Sequence, residues 1–312
     1  MCMKRLFLYI FSAILLVSCT SDLENGLDGK DSSGIVVSAR CTETKSVLDS
    51  DLNVLWSKED RITVLSLDGS ASVVSEQGGA DSYSCDFIVN GWPKDVTPRY
   101  AVFNGSSSEA SASIEGRYIE SSIPTVQYIS DDCSFGRDAN LSIGELKMSS
   151  DGRWQTEMKN VCALVGFSLE RFDNVKAVSV YNREGGIWLS GTFRIFMEDG
   201  VPVIKETVDG YPYVAARMAD AESVFKTGAT YYVCVRPDID FTPEFMFLLD
   251  DGKVYKYRSE EQVRIRRSTV MDFGAVDTDA VEAGMDPSVG NEDFVEGGSI
   301  EVVPWELVPS QL

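Results

Sequence analysis

The chain has 312 residues, 44% of them hydrophobic, which is enough apolar mass for about two ordinary domains and too much for a disordered tail. Asp and Glu total 49 against 28 Lys and Arg, and the resulting charge of -21 argues against a surface built to hold nucleic-acid phosphates. There is no histidine, which excludes Ser-His-Asp and Cys-His catalysis and every His-ligated metal site.

The N-terminus reads as an address. Lys4 and Arg5 precede an apolar run from Leu6 to Val17 that is too short to span a bilayer, the pattern of a signal peptide. The run ends Leu16-Val17-Ser18-Cys19, a bacterial lipobox in which Cys19 receives the lipid. An ordinary signal peptide with a chance cysteine is the plainer alternative. Residues 1–18 are then removed, and 19–33, polar and rich in Asp, Ser and Gly, form a tether. Cys41, Cys85, Cys133, Cys162 and Cys234 remain; no CxxC pair exists, so they read as buried free thiols and not as a zinc or redox motif. No metal and no cofactor is expected.

The body reads as β-structure. Asp-Gly occurs at 68–69, 151–152, 199–200, 209–210 and 251–252, and Asn-Gly at 90–91 and 104–105, the dipeptides that tight hairpins favour. Between them the side chains alternate: Leu189, Gly191, Phe193 and Ile195 on one face; Tyr231, Val233 and Val235; Phe245, Phe247 and Leu249; Val263 and Ile265. The Ala-rich stretch 214–225 is the one place expected to hold a short helix. Many short strands with regular turns point to β-sandwiches. The polar stretch 148–153 marks the expected boundary, giving domains 34–152 and 153–277; a hairpin turn within one domain is the alternative.

Residues 278–298 form an acidic spacer, and the chain then turns apolar again. Ile300 and Val302 share one phase of a strand and Val303, Trp305 and Leu307 the next. An apolar strand on a leash needs a groove, either on its own domain or, by strand addition, on another subunit.

These pieces, taken in order, resemble the fimbrillin-like lipoproteins of Bacteroidales-type bacteria, subunits of donor-strand-assembled pili. The resemblance is carried by the lipobox at Cys19, Thr44-Lys45-Ser46-Val47-Leu48, Trp56-x-x-x-Asp60-x-Ile62-x-Val64, Arg99 to Phe103, Pro124-x-x-Gln127, Met158 to Phe167, Thr230 to Val233, Arg267 to Gly274, and Ile300-x-Val302-x-x-Trp305. Where the family often has His near Asn160, this chain does not. The resemblance implies an all-β chain of two tandem β-sandwich domains, transthyretin-like and Greek-key, with a C-terminal strand-like extension. It implies a non-enzymatic adhesin or pilus subunit, lipid-anchored at the outer membrane or carried on a fimbrium, whose partners are other pilus subunits. It further implies that an arginine-specific protease removes the N-terminal segment with its first strand, for which Arg40 is the matching residue, and that Ile300, Val302, Val303, Trp305 and Leu307 of another subunit fill the vacated groove.

Two other functions fit parts of the sequence. A glycan-binding surface lipoprotein of a polysaccharide-uptake system would use exposed aromatics, for which Trp92, Trp188, Tyr211 and Tyr213 are candidates. A carboxylate-run enzyme would need two acids facing one cleft. The pairs Asp49/Asp51, Asp131/Asp132, Asp250/Asp251 and Glu260/Glu261 read instead as solvated turns.

Overall fold

The structure is a computed structural model that describes residues 32–41, 56–78, 82–105, 111–112, 117–130, 135–182 and 186–283. Among them are twenty-three strands, numbered in chain order, and one 3-10 turn, Arg137–Ala139. The first sheet runs β3 (Ser72–Val74), β2 (Thr63–Ser66), β5 (Pro98–Asn104), β9 (Leu141–Glu145), β11 (Trp154–Asn160), β1 (Ser32–Cys41), β4 (Ser84–Pro93), with β10 (Lys147–Met148) on β11. A three-stranded sheet runs β17 (Thr230–Val235), β12 (Ala163–Ser168), β22 (Val270–Ala275). A six-stranded sheet runs β23 (Val281–Glu282), β20 (Val254–Arg258), β19 (Pro243–Leu249), β13 (Val175–Asn182), β16 (Tyr213–Met218), β8 (Val126–Ile129). A four-stranded sheet runs β15 (Val201–Tyr211), β14 (Ser190–Glu198), β7 (Ile119–Ile123), β6 (Ser111–Ala112), and β18 (Ile239–Phe241) pairs with β21 (Val263–Ile265).

The first sheet curls until its two edges meet. Glu76, just past β3, donates its N–H to the carbonyl of Ile88 on β4 at 2.8 Å, and Asn90 Nδ2 bonds Glu76 Oε1 at 2.6 Å. Closure removes the unpaired backbone rows that make open edges prone to wrong pairing. Inside the curl lie Val37, Val64, Phe87, Val89, Ala101, Phe103 and Met158, gathered around Trp56. Trp56 meets Phe87 and Phe103 edge-on, with centroids 5.0 and 5.4 Å apart. The Trp56-x-x-x-Asp60 spacing now has a cause: the Asp60 carboxylate accepts the Ser57 N–H at 2.7 Å and closes the turn that aims the indole inward.

Period-two alternation makes the layers. On β5, Ala101 and Phe103 face the curl, while Tyr100 and Val102 face a second core. That second core takes Leu141 and Ile143 from β9, Ile119 and Ile123 from β7, Phe193 and Ile195 from β14, and Cys162, Leu164 and Cys234 from the three-stranded sheet. The opposite face of that same sheet, with Val165, Phe167, Val233 and Val235, packs into a third core against Val178, Val180, Phe245 and Phe247 of the six-stranded sheet. The three-stranded sheet is therefore covered on both sides, which explains why β12 reads as an almost continuous apolar run.

Two buried polar side chains fasten the layers. Gln127, on β8, is 2% exposed and grips the backbone of Cys234: Nε2 donates to the Cys234 carbonyl at 2.7 Å and Oε1 accepts its N–H at 2.8 Å. β17 is an edge strand of its sheet, and the Gln127 amide supplies partners where no strand does. Asp277 is fully buried, and its carboxylate accepts the N–H groups of Glu170, Arg171 and Phe172, each at 2.8 Å. Arg171 then donates to the Ala280 carbonyl at 2.6 Å while its guanidinium stacks over Phe172 and Tyr255.

Several expectations need correction. The stretch 214–225 begins as a strand and continues as turns, because Val214, Ala216 and Met218 alternate into the third core between β13 and β8. Tertiary pairing overrides the helix propensity of alanine there. Asp199-Gly200 is a hairpin turn, with φ of 50° and 74°. Asp209-Gly210 and Asn90-Gly91 are not turns but lie within β15 and β4. At Gly210 the Trp188 ring lies against the bare backbone, and a Cβ would come within 2.5 Å of Trp188 Cγ. The turn at 149–152 joins β10 to β11, with Ser149 N–H bonded to the Arg153 carbonyl, and β11 returns to the first sheet. The 152/153 position thus falls inside a hairpin, and the chain enters a new sheet only at β12. In the other direction, β7 and β8 pair with β14 and β16.

Two substitutions test the fasteners. Gln127→Leu leaves the N–H and C=O of Cys234 buried and unpaired, and is expected to cost about 2–4 kcal/mol in urea unfolding. Asp277→Ala strands three N–H groups and is expected to cost about 3–5 kcal/mol, with Asp277→Asn falling between it and wild type.

Candidate functional site

β1 is the strand to which the sequence assigns a role, and it lies inside the first sheet. It runs parallel to β11, with Val37 opposite Trp154 and Cys41 opposite Met158, and antiparallel to β4, with Val37 opposite Phe87 and Arg40 opposite Ser84. The register on β4 slips between Ser33 and Ile35, where β4 carries Gly91 at φ 78°.

The inward side chains are Ile35, Val37, Ala39 and Cys41, and Val37 and Ala39 are completely covered. They rest on the core around Trp56, whose indole Nε1 donates to the Ala39 carbonyl at 3.2 Å. One of the two buried tryptophans of this core therefore touches the backbone of β1 itself. The outward row is Gly34, Val36, Ser38 and Arg40. Ser38 Oγ donates to Asp86 Oδ1 at 2.5 Å, and Arg153 Nη1 to Asp86 Oδ2 at 3.2 Å, a ladder from β1 across β4 to the residue that precedes β11. All three members are accessible to water, so the ladder adds little to stability.

Arg40 is exposed and sits next to last in β1, and Cys41 N–H bonds the Tyr83 carbonyl at 2.9 Å. Cys19, Ile300, Val302, Val303, Trp305 and Leu307 lie outside the described residues. The last described residue, Ala283, is bonded through its N–H to Val254 on β20 at 2.8 Å, just beyond the Asp277 clamp. The sequence announced a strand at 34–40 but not its neighbours. The contact between Trp56 and Ala39 had no signal beyond the presence of a lone tryptophan in a polar turn.

The aromatic residues weighed for glycan binding have other occupations. Trp92 is 1% exposed, and its Nε1 donates to the Val96 carbonyl at 2.7 Å. Trp188 is half-buried against the second core. Tyr211 is exposed, but its hydroxyl donates to Asp209 Oδ2 at 3.2 Å, and the charge of Asp209 raises its pKa. Tyr213 is half-buried and packs edge-on to Tyr211. Of the carboxylate pairs, Asp250 is bound by Asn174 Nδ2 at 2.5 Å, and Asp251 accepts the Lys253 N–H at 3.0 Å, which lowers its pKa. Glu260 and Glu261 are exposed beside a turn. Asp49, Asp51, Asp131 and Asp132 lie outside the described residues.

No family model matches the chain, and no curated protein matches it. Among solved structures it is similar to a candidate cell adhesion protein of Bacteroides uniformis ATCC 8492, at 10% identity and a TM-score of 0.43, over 80% of this chain and 95% of that one. It is similar to the tip fimbrial protein Mfa3 of Porphyromonas gingivalis, C-terminally truncated, at 11% identity and a TM-score of 0.32, over 72% and 81%. A fimbrial assembly protein of Parabacteroides distasonis ATCC 8503 follows at 9% identity and a TM-score of 0.33, over 78% and 90%. The three carry the names of cell adhesion and fimbrial proteins.

Proposed function

We propose that this chain is a cell-surface fimbrial subunit or adhesin, held to the outer membrane through a lipid on Cys19, and that it assembles with other pilus subunits by strand exchange. The observation that carries the reading is the place of β1: an internal strand at the N-terminal end of the described chain, hydrogen-bonded on both sides and seated on a tryptophan-centred core. The names of the structural neighbours agree with this reading, and it does not depend on them.

The energetics favour exchange over simple loss. Removing β1 leaves β4 and β11 facing each other across a gap one strand wide, with two rows of unpaired backbone groups and an uncovered core. Only another extended segment restores those bonds, and it must run parallel to β11 and antiparallel to β4 to reproduce them. The backbone bonds nearly cancel between the old strand and the new one, so the side chains decide. β1 contributes Ile35, Val37, Ala39 and Cys41. The C-terminal segment carries Ile300, Val302, Val303, Trp305 and Leu307, a bulkier apolar set. Each fully buried Val, Ile or Leu is worth roughly 1.5–3 kcal/mol, and because the freedom released by the departing strand offsets much of the cost of ordering the incoming one, the difference in buried apolar side chains sets the direction. A cut after Arg40 frees all of β1 but its last residue, Cys41, which stays bonded to Tyr83 on the body of the chain.

Digestion of the purified protein with an arginine-specific protease, followed by intact mass and electron microscopy, tests the reading. A dominant cut after Arg40 and the appearance of oligomers or filaments are expected, and Arg40→Gln is expected to abolish both. Tryptophan emission is expected to shift to the red when β1 leaves Trp56 and to return when a peptide of residues 299–312 is added. Filaments that persist after deletion of 299–312 sink the strand-exchange reading.

A further inference from the structure

Two Asn-Gly pairs lie among the described residues, and the fold treats them differently. Ser33 stands opposite Trp92 and Ile35 opposite Val89, so the single residue Gly34 of β1 faces both Asn90 and Gly91 of β4. The two form a bulge, and the ladder is interrupted at the peptide that joins them. Both are exposed, and no atom lies within 4 Å of where a Cβ on Gly91 would stand. The Asn90 carboxamide lies over the bare backbone of Gly34, where a Cβ would come within 3.3 Å of Asn90 Oδ1. Its Nδ2 donates to Glu76 Oε1 at 2.6 Å, across the seam that closes the first sheet. Asn104-Gly105, at the end of β5, is the opposite case. Asn104 is 4% exposed, its Nδ2 donates to Ser121 Oγ at 2.6 Å, and a Cβ on Gly105 would come within 2.5 Å of the Asp138 carbonyl oxygen.

We propose that Asn90 is a modification site, at which the side-chain amide is lost and the seam acquires a second carboxylate. The backbone nitrogen of Gly91 attacks Asn90 Cγ, the Cγ–Nδ2 bond breaks, and a five-membered succinimide forms. The Gly91 nitrogen gives its proton to hydroxide, and Nδ2 leaves as ammonia. Water then adds to one of the two ring carbonyls. Opening at Cγ gives aspartate, and opening at the main-chain carbonyl gives isoaspartate. The net change is amide plus water to carboxylate plus ammonium, with no oxidation or reduction. Glycine permits it because no side chain shields the attacking nitrogen, and the bulge takes that nitrogen out of the regular ladder. Asn104 has the same next residue in sequence but no room to close the ring. The product has a structural consequence. A carboxylate at position 90 faces Glu76 where an amide had donated to it, and like charges on facing strands are destabilising. They stand beside β4, one of the two strands that hold β1, so a slow reaction with water loosens the closure of the first sheet. This inference does not rest on the assembly reading.

The test is to incubate the full purified protein for days at mildly alkaline pH, folded in one arm and unfolded in urea in the other, and to map its peptides. Expected in the folded arm is a peptide spanning Asn90 about 1 Da heavier, carrying aspartate and isoaspartate, while the peptide spanning Asn104 is unchanged. In urea both are expected to convert. Folded protein that keeps the Asn90 amide while the unfolded chain loses it overturns the proposal, and so does folded protein that converts Asn104 as fast as Asn90. Asn90→Asp is expected to lower the Tm by roughly 2–5 °C and to speed hydrogen exchange in β4, and adding Glu76→Gln is expected to restore both, because an amide again faces a carboxylate. An Asn90→Asp protein as stable as wild type overturns the consequence drawn for the seam.

Discussion

A strand inside a sheet must satisfy hydrogen-bond donors and acceptors on two neighbours at once, and that requirement at β1 organises the N-terminal part of this protein. β4 and β11 are far apart in sequence and touch the same strand from opposite sides. The curl of the sheet, the burial of Trp56 and the seam between Glu76 and Ile88 all presuppose that the place between them is filled. A core can relax around a lost methyl group, but a sheet cannot relax around a lost strand without exposing both rows of backbone. Whatever fills the place must be extended, nearly as long as β1 and apolar on alternate residues.

The remainder of the chain is held by a different device, a small sheet used from both sides. β12 sends Val165 and Phe167 one way and Leu164 the other, so two cores share one set of three strands. Its central strand β12 has no wet face to satisfy stray polar groups, and the sheet's edge at β17 is served by a side chain instead. Gln127 suits that task because a primary amide presents an N–H donor and a C=O acceptor side by side in one plane, matching the N–H and C=O of one residue, while Nε2 also donates to the Pro124 carbonyl at 3.1 Å. Asp277 works by the same logic near the C-terminal end of the described chain, where a turn presents three N–H groups in a cluster that a carboxylate can accept together.

The all-β character and most strand faces were legible in the sequence because period-two alternation is a local signal. Phe245, Phe247 and Leu249 are buried on one face, as are Tyr231, Val233 and Val235. Positive-φ chemistry misled at two places. Gly91 and Gly210 serve a strand irregularity and an aromatic contact with the same residue type that makes a hairpin, and nothing adjacent in sequence tells these uses apart. Alanine misled at 214–218 because intrinsic propensity is weaker than pairing with β13 and β8. The place of β1 was not legible at all. Parallel pairing with β11 is a contact between residues remote in the chain, and no local pattern encodes which distant strand will be the neighbour.

That remoteness has a kinetic consequence. Val37 and Trp154 are roughly 120 residues apart, so the place for β1 does not exist until β11 has emerged and folded against β9, and contacts of such span form late. During this interval β4 and β11 are free to take any suitable strand in the vicinity. The chain's own N-terminal segment competes at the effective concentration that covalent connection provides, an advantage that a strand arriving from a separate molecule lacks. β1 is thus favoured kinetically, as well as by its contacts, to fill the position between β4 and β11 over a strand of any other molecule.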